Sequence, residues 1–175
     1  MKVGTKSLLF GAHQFILHPV TVLLAWRKLY GKFPGWKELT CIVMHDWGYW
    51  GCADMDGKEG SLHPEWAAQV VYRWWGSYYY HLCLFHSRHR ARWYKSHVSK
   101  LYYADKLSFC YVPWWLYVPM GLLSGEIHEY EEQTSRVKVC SKSGGWKQWH
   151  QSVCTSMRKL SKDPKSLPYL HKEDD

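Results

Sequence analysis

The segment ELTCIVMHDWGYWG, residues 38–51, decides how the rest of this chain is read. A mostly apolar run stops at His45 and Asp46, and Gly48 follows two residues later. A carboxylate buried at the end of an apolar helix costs free energy unless its charge is offset. A divalent cation offsets it, because neutral imidazole and carboxylate are both good metal ligands. In a chain with 11 histidines one His-Asp pair is a weak signal by itself. Its meaning depends on what stands before and after it.

Before it lies HPVTVLLAWRKLYG, residues 18–31. Pro19 suits the first position of a helix and Gly31 its stop, while Val22, Leu23, Trp26, Leu29 and Tyr30 recur at helical spacing. His18 then sits at the N-terminal tip of that helix. Residues 7–17 read as a short apolar helix interrupted by His13, and Trp36 to Trp47 as the helix that delivers His45 and Asp46, with Gly48 as its end. After it, HPEWAAQVVYRWW repeats the earlier design, with Pro64 at a helix start and His63 just before it. Tyr78 to His89 reads as a further helix, with a strand as the alternative because of its aromatic density. SKLYYADKLSFCYV places Leu101, Ala104, Leu107, Ser108 and Tyr111 at helical spacing with Asp105 among them. Helices near 126–138 and 146–161 complete the reading, and residues 163–175 form a polar tail.

His18, His45, Asp46, His63, His86 and Asp105 thus stand at special places on successive apolar helices. Any one of the histidines reads equally as a cap or a hydrogen-bonded core residue. Asp105 is harder to dismiss, since buried carboxylates need partners. In this order, on HPVTV (18–22), VMHDWGYWG (43–51), HPEWAA (63–68), FHSRH (85–89) and YADKLS (103–108), the sequence resembles the HD-domain metal-dependent phosphohydrolase superfamily. The resemblance implies an all-α, single-domain helical bundle. Its metal-dependent core would span residues 1–125, and residues 126–162 would be a helical extension of the same domain. It implies that His18, His45, Asp46 and Asp105 hold one divalent metal. His63 and His86 would add a second, with Asp46 bridging. The chain departs from the cyclic-dinucleotide branch of that superfamily: no lysine follows His-Asp closely and no GYP follows HSRHRAR. That branch's substrate is not implied.

Histidine and carboxylate ligands admit manganese, iron, cobalt, nickel and zinc. The expected reaction is hydrolysis of a phosphate ester, with a nucleotide as the substrate, by water that the metal activates and Asp46 orients. The same metals would serve a phosphodiesterase acting on a cyclic nucleotide or another phosphodiester. Arg88, Arg90, Arg92 and Lys106 lie near the expected ligands and suit phosphate charge, Arg88 best because it stands between His86 and His89. Each also reads as part of an ordinary solvated basic face. Trp47, Tyr49 and Trp50 read as core, or as cleft walls that stack a base. His89 is a minor candidate for an extra ligand or substrate contact. Asp54 and Asp56, in the loop after His-Asp, read as turn formers, with binding of water or substrate as the alternative.

Bulk properties bound the rest. At 175 residues and 46% hydrophobic the chain supports one core. A formal charge of +8 suits anionic partners: phosphorylated small molecules, or nucleic acid bound by aromatic rings interleaved with Lys and Arg on a catalytically inactive HD fold. Six cysteines without a C-x-x-C pair argue against a disulfide framework or a thiolate zinc site. No secretory signal is convincing, and FCYVPWWLYVPMGLL is too short and too proline-broken to span a bilayer, so a cytoplasmic protein is expected. That segment suits either core or docking onto a partner or a second copy of the chain.

Overall fold

In the two helices that carry His18 and Asp105, the buried positions form one stripe, and the candidate ligand falls within it rather than beside it. In α2 (Leu17–Tyr30) the buried residues are His18, Thr21, Val22, Ala25 and Trp26, which recur at the spacing of one helix face. In α7 (Lys100–Ser108) Leu101, Ala104, Asp105 and Ser108 do the same. Residues that share a stripe with the core must face the core, so His18 and Asp105 are carried inward by the leucines, valines and alanines around them.

The computed structural model describes residues 1–55, 57–130 and 145–162. Among these the chain is all-α, without strands. The remaining helices are α1 (Val3–Phe10), α3 (Trp36–Met44), α4 (His63–Trp75), α5 (Ser77–Leu84), α6 (Arg88–Trp93), α8 (Trp114–Ser124), α9 (described over 126–130) and α10 (Gly145–Lys162). Short 3-10 turns occupy Trp47–Tyr49, Gly60–Leu62 and Phe109–Tyr111. No helix among the described residues is long and apolar enough to cross a membrane. The polar tail expected over 163–175, the later part of the expected 126–138 helix and Asp56 lie outside the described residues.

The main core joins α2, α3, α4, α5 and α7 through Val22, Ala25, Cys41, Ile42, Ala67, Ala68, Val71, Leu84 and Leu101, all shut off from solvent. Alanines at 67 and 68 let α4 approach its neighbours closely. Each large aliphatic side chain buried here contributes roughly 1.5–3 kcal/mol. A second core, built on Val112, Tyr117, Val118, Ile127, Trp149 and Val153, fastens α8, α9 and α10 to the bundle. FCYVPWWLYVPMGLL is therefore divided: Tyr117 and Val118 are core, whereas Trp115 and Leu123 are exposed.

Helix limits differ from the sequence expectation at three places, and each difference matters for the site. The helix expected over 7–17 runs instead from Val3 to Phe10 and stops at Gly11. A Cβ at Gly11 would lie 2.3 Å from a carboxylate oxygen of Glu126, so the close approach of that side chain requires glycine there. Helix α3 ends at Met44, not Trp47, and the chain turns into a 3-10 segment. Asp46 is thereby released from helical geometry and can point to the interior beside His45. Gly48 packs on α4 so tightly that a Cβ would lie 2.0 Å from the carbonyl oxygen of His63. The helix expected over 78–89 is two helices, α5 and α6, broken at 85–87, and His86 stands in the break. Five cysteines among the described residues, Cys41, Cys52, Cys83, Cys110 and Cys154, are free thiols.

Candidate metal centre

Three histidines are aimed by the same local device. His45 Nδ1 donates to the carbonyl of Ile42 at 2.8 Å, His63 Nδ1 to that of Gly60 at 2.6 Å, and His86 Nδ1 to that of Cys83 at 2.5 Å. In each case the acceptor is the backbone carbonyl three residues earlier. A carbonyl only accepts, so the proton sits on Nδ1 and the Nε2 lone pair is presented to the interior, which is the arrangement a metal-ligating imidazole needs. Tyr49 fixes His63 further, stacking on its ring at 3.9 Å between centroids.

The Nε2 atoms and the carboxylates converge in two groups that share Asp46. In the first, His18 Nε2 is 3.0 Å from Asp46 Oδ2 and 3.3 Å from Asp105 Oδ1, and His45 Nε2 is 3.2 Å and 3.8 Å from the same two oxygens. In the second, His63 Nε2 and His86 Nε2 lie 3.5 Å and 3.4 Å from Asp46 Oδ1 and 2.9 Å from each other. Ligands bound at about 2.0–2.2 Å around one ion stand roughly 3–3.5 Å apart when adjacent in a tetrahedron or octahedron. Both groups have that spacing, and all six residues are buried.

A cation fits for a second reason. His63 and His86, each with its proton directed away to a carbonyl, bring two lone pairs within 2.9 Å of each other. Asp46 Oδ2 is buried and accepts no hydrogen bond, although two imidazole nitrogens crowd it. Converging acceptors without a proton among them repel unless positive charge lies between them. The side chains alone compensate by moving protons. Burial opposes a charge on His45, but Asp46 and Asp105 outweigh it and lift this imidazole to about 10. Burial also resists charge on both aspartates, yet His45 and His13 around Asp46, and Lys106 and His18 beside Asp105, hold the two carboxyls well below their usual range. His63 and His86 go the other way: burial, reinforced by each one's histidine neighbours, lowers both. The described side chains could hold a divalent metal, and their geometry does not distinguish which.

The remaining candidates fall at varied distances from this centre. Lys106 places its ammonium 3.0 Å from Asp105 Oδ2, the oxygen turned away from the histidines, and is about half exposed at 46%. Burial pushes the Tyr102 phenol up, opposed in part by Lys106 and by Arg88, which is half-buried at the start of α6. Arg90 is buried and tied to Glu65 at 2.6 Å and to the Ser61 carbonyl at 3.2 Å, so it fastens α6 to α4. Arg92 is exposed on α6. His89 is exposed beside Trp93 and belongs to neither group. Trp47 is 37% exposed and stacks on Trp66 at 5.9 Å; Phe15 meets Trp47 edge-on at 5.7 Å and stacks on Trp50 at 6.2 Å. Phe15, Trp47, Trp50 and Trp66 thus form a row of four partly exposed rings, each close in sequence to His18, Asp46 or His63. Tyr49 is not part of that row, because it is buried behind His63.

Two residues near the centre were not singled out by sequence reasoning. His13, a spare histidine by its spacing, has its Nε2 3.8 Å from Asp46 Oδ2, and its Nδ1 lies 3.1 Å from Glu126 Oε2. Glu126 is fully buried. It stands at the start of a polar stretch, where nothing local signals burial. The available signal was Gly11, a helix stop two residues before His13.

Comparisons of the chain with protein-family models, with curated proteins and with solved structures return no match.

Proposed function

We propose that this chain is a metal-dependent phosphohydrolase of the HD type that cleaves a phosphate ester, with a nucleotide as its substrate. The observation that carries the reading is the sharing of Asp46, one carboxylate oxygen turned to His18 and His45 and the other to His63 and His86. Two divalent ions about 3.5–4 Å apart are the usual way to clamp a phosphoryl group for in-line displacement. When bound, such ions lower the pKa of water from about 15.7 toward 7 and offset the charge spread over the phosphoryl oxygens.

The chain's own residues do the rest. In the hydrolysis one P–O bond forms to water and the ester P–O bond breaks; the water gives up a proton and the departing oxygen takes one up. Asp46 fixes both ligand groups relative to each other, and Asp105, anchored by Lys106 through its outer oxygen, completes the first. Lys106 supplies positive charge beside the centre, and Arg88 is the arginine assigned to the phosphate. The ring row Phe15, Trp47, Trp50 and Trp66 supports a substrate with a planar base, since stacking a base on an aromatic side chain is worth about 1–3 kcal/mol.

The test is turnover of a panel of nucleotides, cyclic nucleotides and a generic phosphodiester with added manganese, with Asp46→Ala and Asp105→Ala alongside and metal content measured on each. Metal-dependent turnover lost in both variants is the expected result, and the preferred substrate distinguishes a monoesterase from a phosphodiesterase. Folded protein without bound metal or turnover would defeat the reading and favour a nucleic-acid-binding module.

A further inference from the structure

We propose that His13 orients the attacking water at the metal centre, and that Glu126 is the residue that positions His13. The inference rests on the phosphohydrolase reading above and adds to it two residues outside the ligand series.

Glu126 is 0% exposed, and the fold is arranged around its carboxylate. Oε1 accepts from Ser124 Oγ at 2.8 Å and from the backbone N–H of Ala12. Oε2 accepts from Ser7 Oγ, from the Tyr130 hydroxyl at 3.4 Å and from His13 Nδ1 at 3.1 Å. Helix α1, the loop after it and the start of α9 all contribute donors, and Gly11 leaves the room the carboxylate needs. Burying a charge this thoroughly is costly and persists only when every lone pair is engaged. Structure alone asks for no carboxylate here; an apolar contact between α1 and α9 would be cheaper. One consequence of the arrangement reaches beyond it: the carboxylate fixes the His13 ring with Nδ1–H turned to Glu126 and Nε2 turned to the centre.

Nε2 then lies 3.8 Å from Asp46 Oδ2, yet it stands outside both ligand groups. His13 is also the most open of the histidines around Asp46, its side chain 16% exposed against 9% or less for His18, His45, His63 and His86. Tyr49 and His18 flank the ring at 5.2 Å each and prevent it from turning away. A nitrogen beside the candidate ligands, more open than they are and with its outer nitrogen fixed by a buried carboxylate, suits holding a water in line: at 3.8 Å it is too far from Asp46 for a direct hydrogen bond, close enough to share a water with it, and oriented.

The test compares wild type, His13→Gln and Glu126→Gln on the best substrate of the panel. Metal per chain and the affinity of the manganese-loaded protein for inorganic phosphate, by calorimetry, are measured on all three. Expected for His13→Gln is a kcat lower by about 10²-fold, at the lower end for a positioned general acid–base group. KM should stay within about threefold, with metal content and phosphate affinity as in wild type. Glu126→Gln, checked for folding by thermal unfolding, is expected to lose about tenfold in kcat with the same split. A kcat for His13→Gln within threefold of wild type overturns the assignment. So does loss of a metal ion, which would make His13 a ligand, or a phosphate affinity weakened in proportion to kcat, which would make it an anion contact. Absence of metal-dependent turnover in wild type defeats the phosphohydrolase reading itself, and the two failures are thereby distinguished.

Discussion

The candidate metal-binding cluster around Asp46 and the hydrogen-bonded cluster around Glu126 are both buried, both acidic and connected through His13, yet their polar atoms are balanced in opposite ways. Around Glu126 every carboxylate lone pair is met by a donor: two serine hydroxyls, a backbone N–H, an imidazole and a phenol. Around Asp46 the neighbours are mostly acceptors, with the protons of His45, His63 and His86 turned outward to backbone carbonyls. The first cluster is complete as it stands. The second calls for a cation. Buried polarity is thus a sign of a ligand site only when its donors and acceptors fail to balance, and that balance is a sharper criterion than burial or charge alone.

The contrast is open to attack from both sides. Its largest expected consequence is that Asp46→Ala, by removing the oxygen pair common to both groups, abolishes metal binding and lowers turnover by on the order of 10⁴-fold; two retained ions per chain would refute the shared role. Glu126→Ala should act on the fold instead. It strips the Ala12 N–H and His13 of their carboxylate and leaves Ser7 to His13 and Ser124 to the Gly121 carbonyl, and a loss of about 3–5 kcal/mol in denaturant unfolding is expected, because a satisfied buried charge has been deleted from its partners. A loss under about 1 kcal/mol would mean that the cluster is not the fastening described. His86→Ala should affect only the second group, reducing bound metal from two ions to one and turnover by about 10²-fold. Trp47→Ala should raise KM about tenfold for substrates bearing a base and leave a generic phosphodiester unchanged, in keeping with the loss of one stacking surface.

The smallest effect concerns pH. In chelator-treated protein the folded state holds the His45 proton up to about 10, above the ordinary histidine value of 6.5, so its contribution is full below 6.5 and declines as pH rises toward 10. His63 and His86 are lowered, so the unfolded chain binds more protons than the folded one below 6.5, and stability falls there as pH falls. Asp46 and Asp105, also lowered, add to the loss at still lower pH. A stability maximum near 6.5 is expected in urea titrations across pH. Saturating manganese should remove the alkaline decline, since the metal then stands where the His45 proton stood. An unchanged profile with metal would count against His45 as a ligand.

The ligand series was legible because each member interrupts an apolar pattern. His18 and His63 precede helix-starting prolines, Asp105 falls in the stripe of α7, and His45 and Asp46 end the run of α3. Periodicity places such residues on inward faces, and only a few polar types tolerate that position. Helix α4 begins and ends where Pro64 and Gly76 put it, and α2 stops at Gly31 in the left-handed region. The breaks at 11–16, at 46–50 and at 85–87 were less legible, because they answer to partners distant in sequence: Glu126 against Gly11, the His63 backbone against Gly48.

What the sequence determined by itself, then, is the all-α fold and the inward placing of residues such as His18 and Asp105, since helical periodicity and capping are local and each is decided within a few residues. Only the tertiary structure decided that His18, His45, His63 and His86 converge on the two oxygens of Asp46 with Asp105 beside His18 and His45, that Tyr49 is buried against His63 rather than on an open wall, and that Glu126 holds His13. Those facts depend on segments 23 to 113 residues apart meeting at particular angles, and on the balance of donors and acceptors where they meet. Neither is written in any single stretch of chain.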